Sequence, residues 1–172
     1  MRTIYLDYAA ATPMDPLVHK TMEPYFAEKF CNPSATYLAA RQVRNDLERA
    51  RTTVAAFMGA KPAEIVFTAG ATEANNLAIQ GIMRQFPNSE VLVGAIEHES
   101  VLEPARQFKV KKIPVSNEGR ILLNKLSNLI NDKTVLVSVA YVNNEIGTVQ
   151  PLREIAALLA EKRRQRKQKN KF

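Results

Sequence analysis

Apolar runs that alternate with helical segments constrain the fold of this chain more than any other feature of its sequence. Four runs rich in valine, isoleucine and leucine are predicted strands, at residues 64–68, 90–94, 111–115 and 134–141. The apolar spacing predicts helices at about residues 72–85, 100–107 and 124–130 and from 151 onward. Parallel strands need crossover connections such as these helices. The pattern therefore predicts an α/β fold, with a mainly parallel sheet and helices on both faces.

The first 60 residues are predicted to be mostly helical. A short strand at 4–7 precedes a helix at about 15–29, for which Asp15 is the predicted N-cap and Pro16 the first helical residue. A longer helix is predicted at about 35–58, and Gly59 follows it as a residue suited to a helix end. The length of 172 residues is that of one domain with a proper core.

Three loops that follow predicted strands carry most of the chemically functional residues of the chain. They cover residues 69–72, 95–100 and 142–147. In open parallel sheets, ligands bind beyond the carboxyl ends of the strands. The convergence of these loops at one edge therefore predicts a small-molecule site.

The stretch at 67–76 (FTAGATEANN) passes from a predicted strand through small residues into a helix. Backbone N–H groups and the helix dipole at such a turn suit a phosphate group. Gly70 would let the backbone approach a ligand closely, and Thr68 and Thr72 offer hydroxyls. A turn of this composition is also a common helix cap. From these residues alone, a phosphate site and a plain cap both stay open.

Composition excludes several other classes of protein. Apolar residues make up 46% of the chain, but none of the runs approaches the roughly 18 residues of a membrane span. The start of the chain has no signal-peptide core. The single cysteine, Cys31, excludes an internal disulfide framework, so we expect a cytoplasmic protein without a membrane segment.

The net charge of +7 belongs to the end of the chain. Residues 162–172 contain seven lysines and arginines and no acidic residue, so the preceding 161 residues carry 17 charges of each sign. Basic tails can bind nucleic acid. No aromatic residues alternate with these charges and no nucleic-acid motif is present, so we expect a solvated, frayed tail and no nucleic-acid partner.

Five segments together resemble the N-terminal half of a cysteine desulfurase, one of the pyridoxal-phosphate (PLP) enzymes called class V aminotransferases. The segments are YLDYAAATP at 5–13, NPS at 32–34, IVFTAGATEANNLAI at 65–79, EHESVL at 97–102 and VSVAYVNNEIG at 137–147. They follow the order and spacing of the family. The resemblance implies a segment at 1–14 that lines the active-site entrance, a partial transferase large domain at 15–161 and the basic tail at 162–172.

The resemblance also implies roles for single residues. Ala71 and Thr72 would hold the cofactor phosphate, and His98 would stack on the pyridine ring and move protons. Asn144 would contact the phenolic oxygen of the cofactor or the substrate, and Asn32 would lie at the substrate entrance. From the residues alone, a surface loop histidine is the favoured interpretation of His98, and Asn144 could be a turn residue.

Several catalytic elements of the family are absent from this sequence. It has no Ser-x-His-Lys motif for the Schiff-base lysine and no His-x-Asp motif for the aspartate that pairs with the pyridine nitrogen. The sulfur-accepting cysteine is also missing, because Cys31 does not align with it. Without these groups we expect no desulfuration by the chain alone.

The resemblance implies L-cysteine as substrate, which would yield alanine and a persulfide for iron–sulfur clusters or tRNA. It also implies a homo-oligomer or pairing with a missing C-terminal half, and it allows a sulfur-accepting scaffold protein as partner. Two alternatives stay open. The chain could be a non-catalytic fragment or dimerisation module, or part of another class V aminotransferase or a selenocysteine lyase.

Overall fold

The chain forms two compact units, Met1–Phe67 and Thr68–Phe172, rather than the single unit expected from its length. The computed structural model describes residues 3–168. We call the two parts the N-terminal unit and the C-terminal unit. Among the described residues, no helix has both the length and the apolar character required to cross a membrane.

The N-terminal unit is helical, as predicted, but its first helix is interrupted. Helix α1 covers Pro16–Met22 and α2 covers Pro24–Ala27. The Asp15 carboxylate accepts a hydrogen bond from the backbone N–H of Leu17 at 2.7 Å, which confirms the predicted N-cap. The prediction of one continuous helix over 15–29 is wrong, because proline at position 24 has no N–H to continue the α-helical ladder.

Helix α3 and the turn after it follow the sequence pattern, whereas the two predicted strands of this region do not form. Helix α3 covers Leu38–Met58 and ends at Gly59, which adopts the left-handed conformation with φ 65°. A short 3-10 helix, Pro62–Glu64, stands where the strand at 64–68 was predicted to begin. Neither 4–7 nor 65–68 pairs with another strand within the described residues. A strand requires a neighbour, and apolar composition alone cannot provide one.

The C-terminal unit contains the predicted parallel sheet. Its three strands lie in the order β2-β1-β3, and both pairings are parallel. The observed bounds agree with the predicted elements to within a few residues, and β1 agrees at both ends. The elements are α4 Ala71–Met83, β1 Glu90–Gly94, α5 Glu99–Arg106, β2 Lys109–Ile113, α6 Leu123–Leu129, β3 Thr134–Ser138 and α7 Leu152–Gln168.

Helices cover both faces of this sheet, which confirms the predicted α/β architecture. On one face, Val91 and Val93 of β1 pack with apolar residues of α4 and α5, among them Ile79 and Leu102. On the other face, Leu92 packs with residues of β2, α6 and α7, which are Ile113, Leu126 and Ile155. The alternation along β1 follows from the two-residue period of a strand.

The two edges of the sheet differ in character. Strand β2 carries Lys109, Lys111 and Lys112, and edge lysines discourage pairing with further strands. Strand β3 was predicted to reach residue 141, but it ends at Ser138 and is mostly half-buried. Among the described residues it pairs with β1 alone, so no described strand covers its second side, which we call the open edge.

Part of the basic segment at 162–172 contacts the start of strand β3. Residues 162–168 continue helix α7 instead of fraying, while 169–172 lie outside the described residues. The Arg166 guanidinium donates hydrogen bonds to the carbonyls of Asn131 and Thr134, the latter at 2.9 Å. Thr134 is the first residue of β3 and Asn131 precedes it, so Arg166 joins helix α7 to the start of this strand.

Alanine at Gly119 should lower the free energy of unfolding by about 1–3 kcal/mol. Gly119 has φ 79°, and a Cβ there would lie 2.6 Å from the Ile146 Cδ1 and 3.1 Å from the Ile96 Cδ1. Gly81→Ala is the matched control. Its Cβ would meet no atom within 4 Å, and alanine in a helix interior is favoured over glycine by about 0.5–1 kcal/mol. Urea unfolding should show opposite signs for the two variants, and equal shifts would contradict this account of Gly119.

Candidate active site

Two loops at the carboxyl ends of neighbouring strands are hydrogen-bonded to each other. The Glu97 carboxylate, after β1, accepts from the backbone N–H of Ala140, after β3, at 2.6 Å. The Asn143 side-chain amide donates to the Ile96 carbonyl at 3.1 Å. Because β1 and β3 are parallel and adjacent, both loops lie at the same edge of the sheet. Two of the three predicted loops are therefore joined by specific contacts.

The third loop presents free backbone donors at the start of α4. The first helical hydrogen bond runs from the Ala74 N–H to the Gly70 carbonyl at 3.1 Å. Among the described residues, no hydrogen bond engages the backbone N–H groups of Ala71, Thr72 or Glu73. The Glu73 carboxylate instead accepts from the N–H of Ala69 at 2.7 Å. Three unused donors at the positive end of a 13-residue helix suit an anion.

The surroundings of the Gly-Ala-Thr turn (residues 70–72) leave space for such an anion. A Cβ at Gly70 would meet no atom within 4 Å, and its backbone is extended, with φ 170°. Neither packing nor backbone strain explains a glycine here, whereas close approach by a ligand would. The Thr68 hydroxyl donates to the Gly70 carbonyl at 3.1 Å, so the Thr72 hydroxyl is the better placed of the two for a phosphate.

His98 and Thr72 line the same cleft. The cleft has a volume of about 550 Å³ and includes Asn76 and Ser100 in its lining. His98 is exposed and is the N-cap of α5, where its Nδ1 accepts from the backbone N–H of Ser100 at 3.0 Å. The structure therefore brings a flat imidazole ring to the same cleft as Thr72, the last residue of the Gly-Ala-Thr turn.

The acidic residues in this cleft form ion pairs with an arginine. Glu99 and Glu103 both line it, and the Arg106 guanidinium forms ion pairs with both carboxylates, with the former at 3.4 Å. All three side chains are largely exposed, so solvent also screens them. The acidic residues therefore do not exclude an anionic group from the Gly-Ala-Thr turn.

Asn144 lies in the loop after β3 but does not line the cleft of His98 and Thr72. Its neighbour Asn143 organises that loop, since its carboxamide oxygen accepts from the N–H groups of Glu145 and Ile146, both at 3.0 Å. Asn144 itself is exposed. The predicted contact of Asn144 with a cofactor stays a prediction.

Asn32 belongs to the N-terminal unit, where its carboxamide oxygen accepts from the Ser34 N–H at 2.9 Å in a local turn. Its role at a substrate entrance also stays a prediction. Nearby, Cys31 is half-buried, and its hydrogen bond with Tyr37 raises the pKa of the Tyr37 hydroxyl.

Sequence reasoning missed several residues that support the site. The buried Gln150 accepts from the Ile121 N–H at 2.8 Å and donates to the Gly119 carbonyl at 2.7 Å, which anchors the end of the loop after β3. Asn75 and Ser100 are hydrogen-bonded to each other near His98. No local pattern reveals such contacts, because the bonded residues are 25 or more positions apart.

Replacing Glu97 should separate its charge from its hydrogen bond. Burial raises the pKa of Glu97, although the Ala140 N–H opposes this shift. When the folded-state pKa of a carboxyl is raised, the folded protein loses stability as the pH rises from the unfolded-state pKa through the higher folded-state pKa. Glu97→Gln keeps an oxygen for Ala140 and should remove that loss, so its stability at neutral pH should equal or exceed that of the parent. Glu97→Ala should cost about 1–3 kcal/mol because it leaves the Ala140 N–H without its partner.

Unfolding titrations in urea from acidic to neutral pH measure both variants. The glutamine variant should show a flatter dependence of stability on pH than the parent. A steeper dependence in Glu97→Gln would contradict the assigned direction of the pKa shift.

A family model described as "Aminotransferase class-V" matches residues 4–164, which include every residue of the candidate site. The chain belongs to this family. Its resemblance to the family, inferred from five motifs, is therefore confirmed.

Curated members of the family similar to this chain are cysteine desulfurases. The IscS cysteine desulfurase of Rickettsia massiliae is 46% identical over 167 residues, an alignment that covers 92% of this chain and 41% of the relative. The IscS enzyme of Dictyoglomus turgidum is 38% identical over 167 residues, an alignment that covers 93% of this chain and 42% of the relative. The chain thus spans about two fifths of the length of these class V relatives and matches their N-terminal part.

Solved structures show the same relationship. A NifS-like protein superposes with a TM-score of 0.88 at 33% identity, covering 92% of this chain and 45% of the other. A structure titled "SspA in complex with cysteine" superposes with a TM-score of 0.86 at 37% identity, covering 92% of this chain and 48% of the other. The predicted α/β fold is therefore confirmed by comparison as well as by the sheet itself, and the chain is a cysteine desulfurase-like N-terminal portion.

Proposed function

We propose that this chain supplies the phosphate-binding and ring-stacking half of a PLP site in a cysteine desulfurase. The observation that carries the proposal is that Thr72, whose N–H is unused at the start of α4, and His98 line one cleft. An anion-binding helix end beside a planar, titratable ring suits a phosphorylated aromatic cofactor.

Each residue has a distinct role in this proposal. The N–H groups of Ala71 and Thr72, with the Thr72 hydroxyl, bind the phosphate. The His98 ring would stack on the cofactor ring and move protons, and Asn144 would contact the phenolic oxygen or the substrate. Asn32 lines the substrate entrance. PLP, when bound, supplies the electron sink that makes bonds at the substrate α-carbon labile.

The reaction we propose for the complete site removes sulfur from L-cysteine. The carbon–sulfur bond breaks and the sulfur joins a cysteine thiol of the enzyme, so that L-cysteine and a thiol become alanine and a persulfide. The persulfide would supply iron–sulfur clusters or tRNA through a sulfur-accepting protein. We place this activity in the cytoplasm.

That reaction requires groups that these 172 residues do not contain. The sequence has no Ser-x-His-Lys or His-x-Asp motif, so the cofactor lysine and the ring-nitrogen aspartate must come from elsewhere. The open edge of β3 offers an attachment point. Beside it lies an apolar cleft of about 500 Å³, whose lining includes Val135, Val137 and Leu159. We propose that a C-terminal half docks there.

Titration with a ligand that lacks the aldehyde isolates the phosphate contribution, because such a ligand cannot react with surface lysines. Pyridoxine 5′-phosphate should bind the chain more tightly than pyridoxine, as measured by calorimetry. Equal binding, or no binding of the phosphorylated form at millimolar concentration, would contradict the proposed phosphate site. Sulfide release from L-cysteine by these 172 residues alone would contradict the requirement for groups that they do not contain.

A second candidate function is that of a non-catalytic dimerisation module. Many large apolar side chains of the N-terminal unit are exposed to solvent. They include Ile4, Leu6, Leu17, Phe26, Phe30, Leu38, Phe57, Met58 and Val66. Exposed apolar surface of this extent is typical of an interface. A dimer in sedimentation velocity that binds no pyridoxine 5′-phosphate would favour this function over a cofactor site.

A further inference from the structure

Hydrogen bonds link helix α4 to the histidine of the candidate site. The Asn75 amide nitrogen donates to the Ser100 hydroxyl oxygen at 2.9 Å. That oxygen lies 2.9 Å from the Nδ1 of His98, which also accepts from the backbone N–H of Ser100 at 3.0 Å. Asn75 and Ser100 are half-buried, whereas His98 is exposed. The connection therefore passes from the helix that begins with the Gly-Ala-Thr turn to the imidazole ring.

The directions of these bonds determine where the imidazole carries its proton. A backbone N–H can only donate, so the Nδ1 of a neutral His98 must be the unprotonated nitrogen. The proton of the ring then resides on Nε2. Asn75 donates to the Ser100 oxygen, which leaves the single hydroxyl proton of Ser100 free to be donated to Nδ1. Within the described residues, no hydrogen bond engages Nε2.

We propose that Asn75 and Ser100 are positioning residues that hold His98 in its Nε2-protonated tautomer and fix the ring at the cleft. In this arrangement, His98 meets a ligand through its ring face and an N–H donor at Nε2. Because Nε2 already carries the ring proton, His98 can accept a proton there only after the ring changes tautomer. That change requires the hydrogen bonds to Nδ1 to break. The functional meaning of this tautomer rests on the proposed function, but the tautomer itself does not depend on a bound ligand.

The position of Asn75 gives the arrangement a further consequence. Thr72 and Asn75 are three residues apart on α4, so they lie on the same side of the helix within one turn. A ligand that contacts Thr72 therefore contacts the same helical turn that orients Ser100 and His98. An ordinary helix cap at His98 needs only the hydrogen bond from the Ser100 N–H. It does not account for the hydrogen bond from Asn75 to the Ser100 hydroxyl.

The chain is well suited to a direct measurement, since it has only two histidines, His19 and His98. Long-range proton–nitrogen NMR spectra of the ¹⁵N-histidine-labelled chain distinguish the two tautomers of each ring. At pH about 9, where imidazole side chains are neutral, the Nε2-protonated form of His98 should predominate. His19, in α1, serves as an internal reference.

Asn75→Ala and Ser100→Ala should each lower the ratio of the Nε2-protonated to the Nδ1-protonated form of His98 by about two- to tenfold, the equivalent of one hydrogen bond. Ser100→Thr retains the hydroxyl and should preserve the parent ratio. Asn128→Ala and Ser127→Ala, on helix α6, are matched controls that should leave the ratio unchanged. Amide spectra establish that each variant is folded.

Two results would overturn the proposal. One is a predominant Nδ1-protonated His98 in the parent chain. The other is an unchanged tautomer ratio in both folded alanine variants, which would reduce Asn75 and Ser100 to structural residues. Titration with pyridoxine 5′-phosphate is read separately: failure of the ligand to bind, with a responsive tautomer ratio, would contradict the proposed function and leave the positioning role intact.

Discussion

Alanine in place of Leu92 should lower the free energy of unfolding of the C-terminal unit by about 2–5 kcal/mol. Leu92 lies in the central strand of the sheet and has no exposed surface. It packs against Ile113, Leu126 and Ile155, so truncation leaves a cavity bounded by three elements that cannot close together freely. Because a domain of this kind is stable by only about 5–15 kcal/mol, the loss is a large fraction of the total.

Leu77→Ala provides the matched control for Leu92→Ala. Leu77 lies on α4 and is 54% exposed, and alanine is a good helix former, so the change should stay within about 0.5 kcal/mol. Urea unfolding followed by far-UV circular dichroism measures both variants. Equal destabilisation by the two substitutions would show that the sheet does not organise the core of this unit.

Proline in place of Ala71 should weaken binding of pyridoxine 5′-phosphate by about ten- to a hundredfold while leaving the fold stable, since a hydrogen bond to a charged group contributes about 1.5–3 kcal/mol. Ala71 is the first residue of α4, and its N–H takes part in no helical hydrogen bond. Proline is favoured at this position because it lacks only a donor that the helix does not use. The substitution therefore removes one proposed phosphate ligand and little else.

Ala74→Pro separates loss of a ligand from loss of the helix. The Ala74 N–H donates to the Gly70 carbonyl, so proline there breaks the first hydrogen bond of α4 and should cost about 3 kcal/mol of stability. Calorimetric titration and thermal unfolding of both variants test the distinction. Undiminished phosphate-dependent binding by a folded Ala71→Pro chain would contradict the role assigned to this turn.

The sequence predicted the fold of the C-terminal unit well because the decisive information there is local. The apolar run at 90–94 and the helix after Gly70 show their periodicity within a few residues of chain, and the structure contains both as β1 and α4. Prediction failed at 65–68, where the composition suits a strand but none of the described residues pairs with it. Strand formation depends on a neighbour, which a single segment does not encode.

The candidate site shows the same division between local and long-range information. The helix start at the Gly-Ala-Thr turn and the loop that carries His98 could be predicted, because both follow from local sequence; their roles at a cofactor stay predictions. The contacts of Ser100 with Asn75 and of Glu97 with Ala140 could not, since they join residues 25 and 43 positions apart. These long-range hydrogen bonds orient the side chains that the motifs supply.

The central claim is that this chain is the phosphate-binding half of a PLP site that groups outside these 172 residues complete. The most direct test mixes it with the separately purified C-terminal part of the Rickettsia massiliae IscS relative, adds PLP, L-cysteine and dithiothreitol, and measures sulfide. The N-terminal part of that relative, mixed with the same C-terminal part, is the positive control. We expect sulfide from the mixture only, with loss of sulfide when the lysine of the C-terminal part is replaced or when this chain carries Ala71→Pro. Sulfide from the control pair but none from the mixture with the parent chain would contradict the claim.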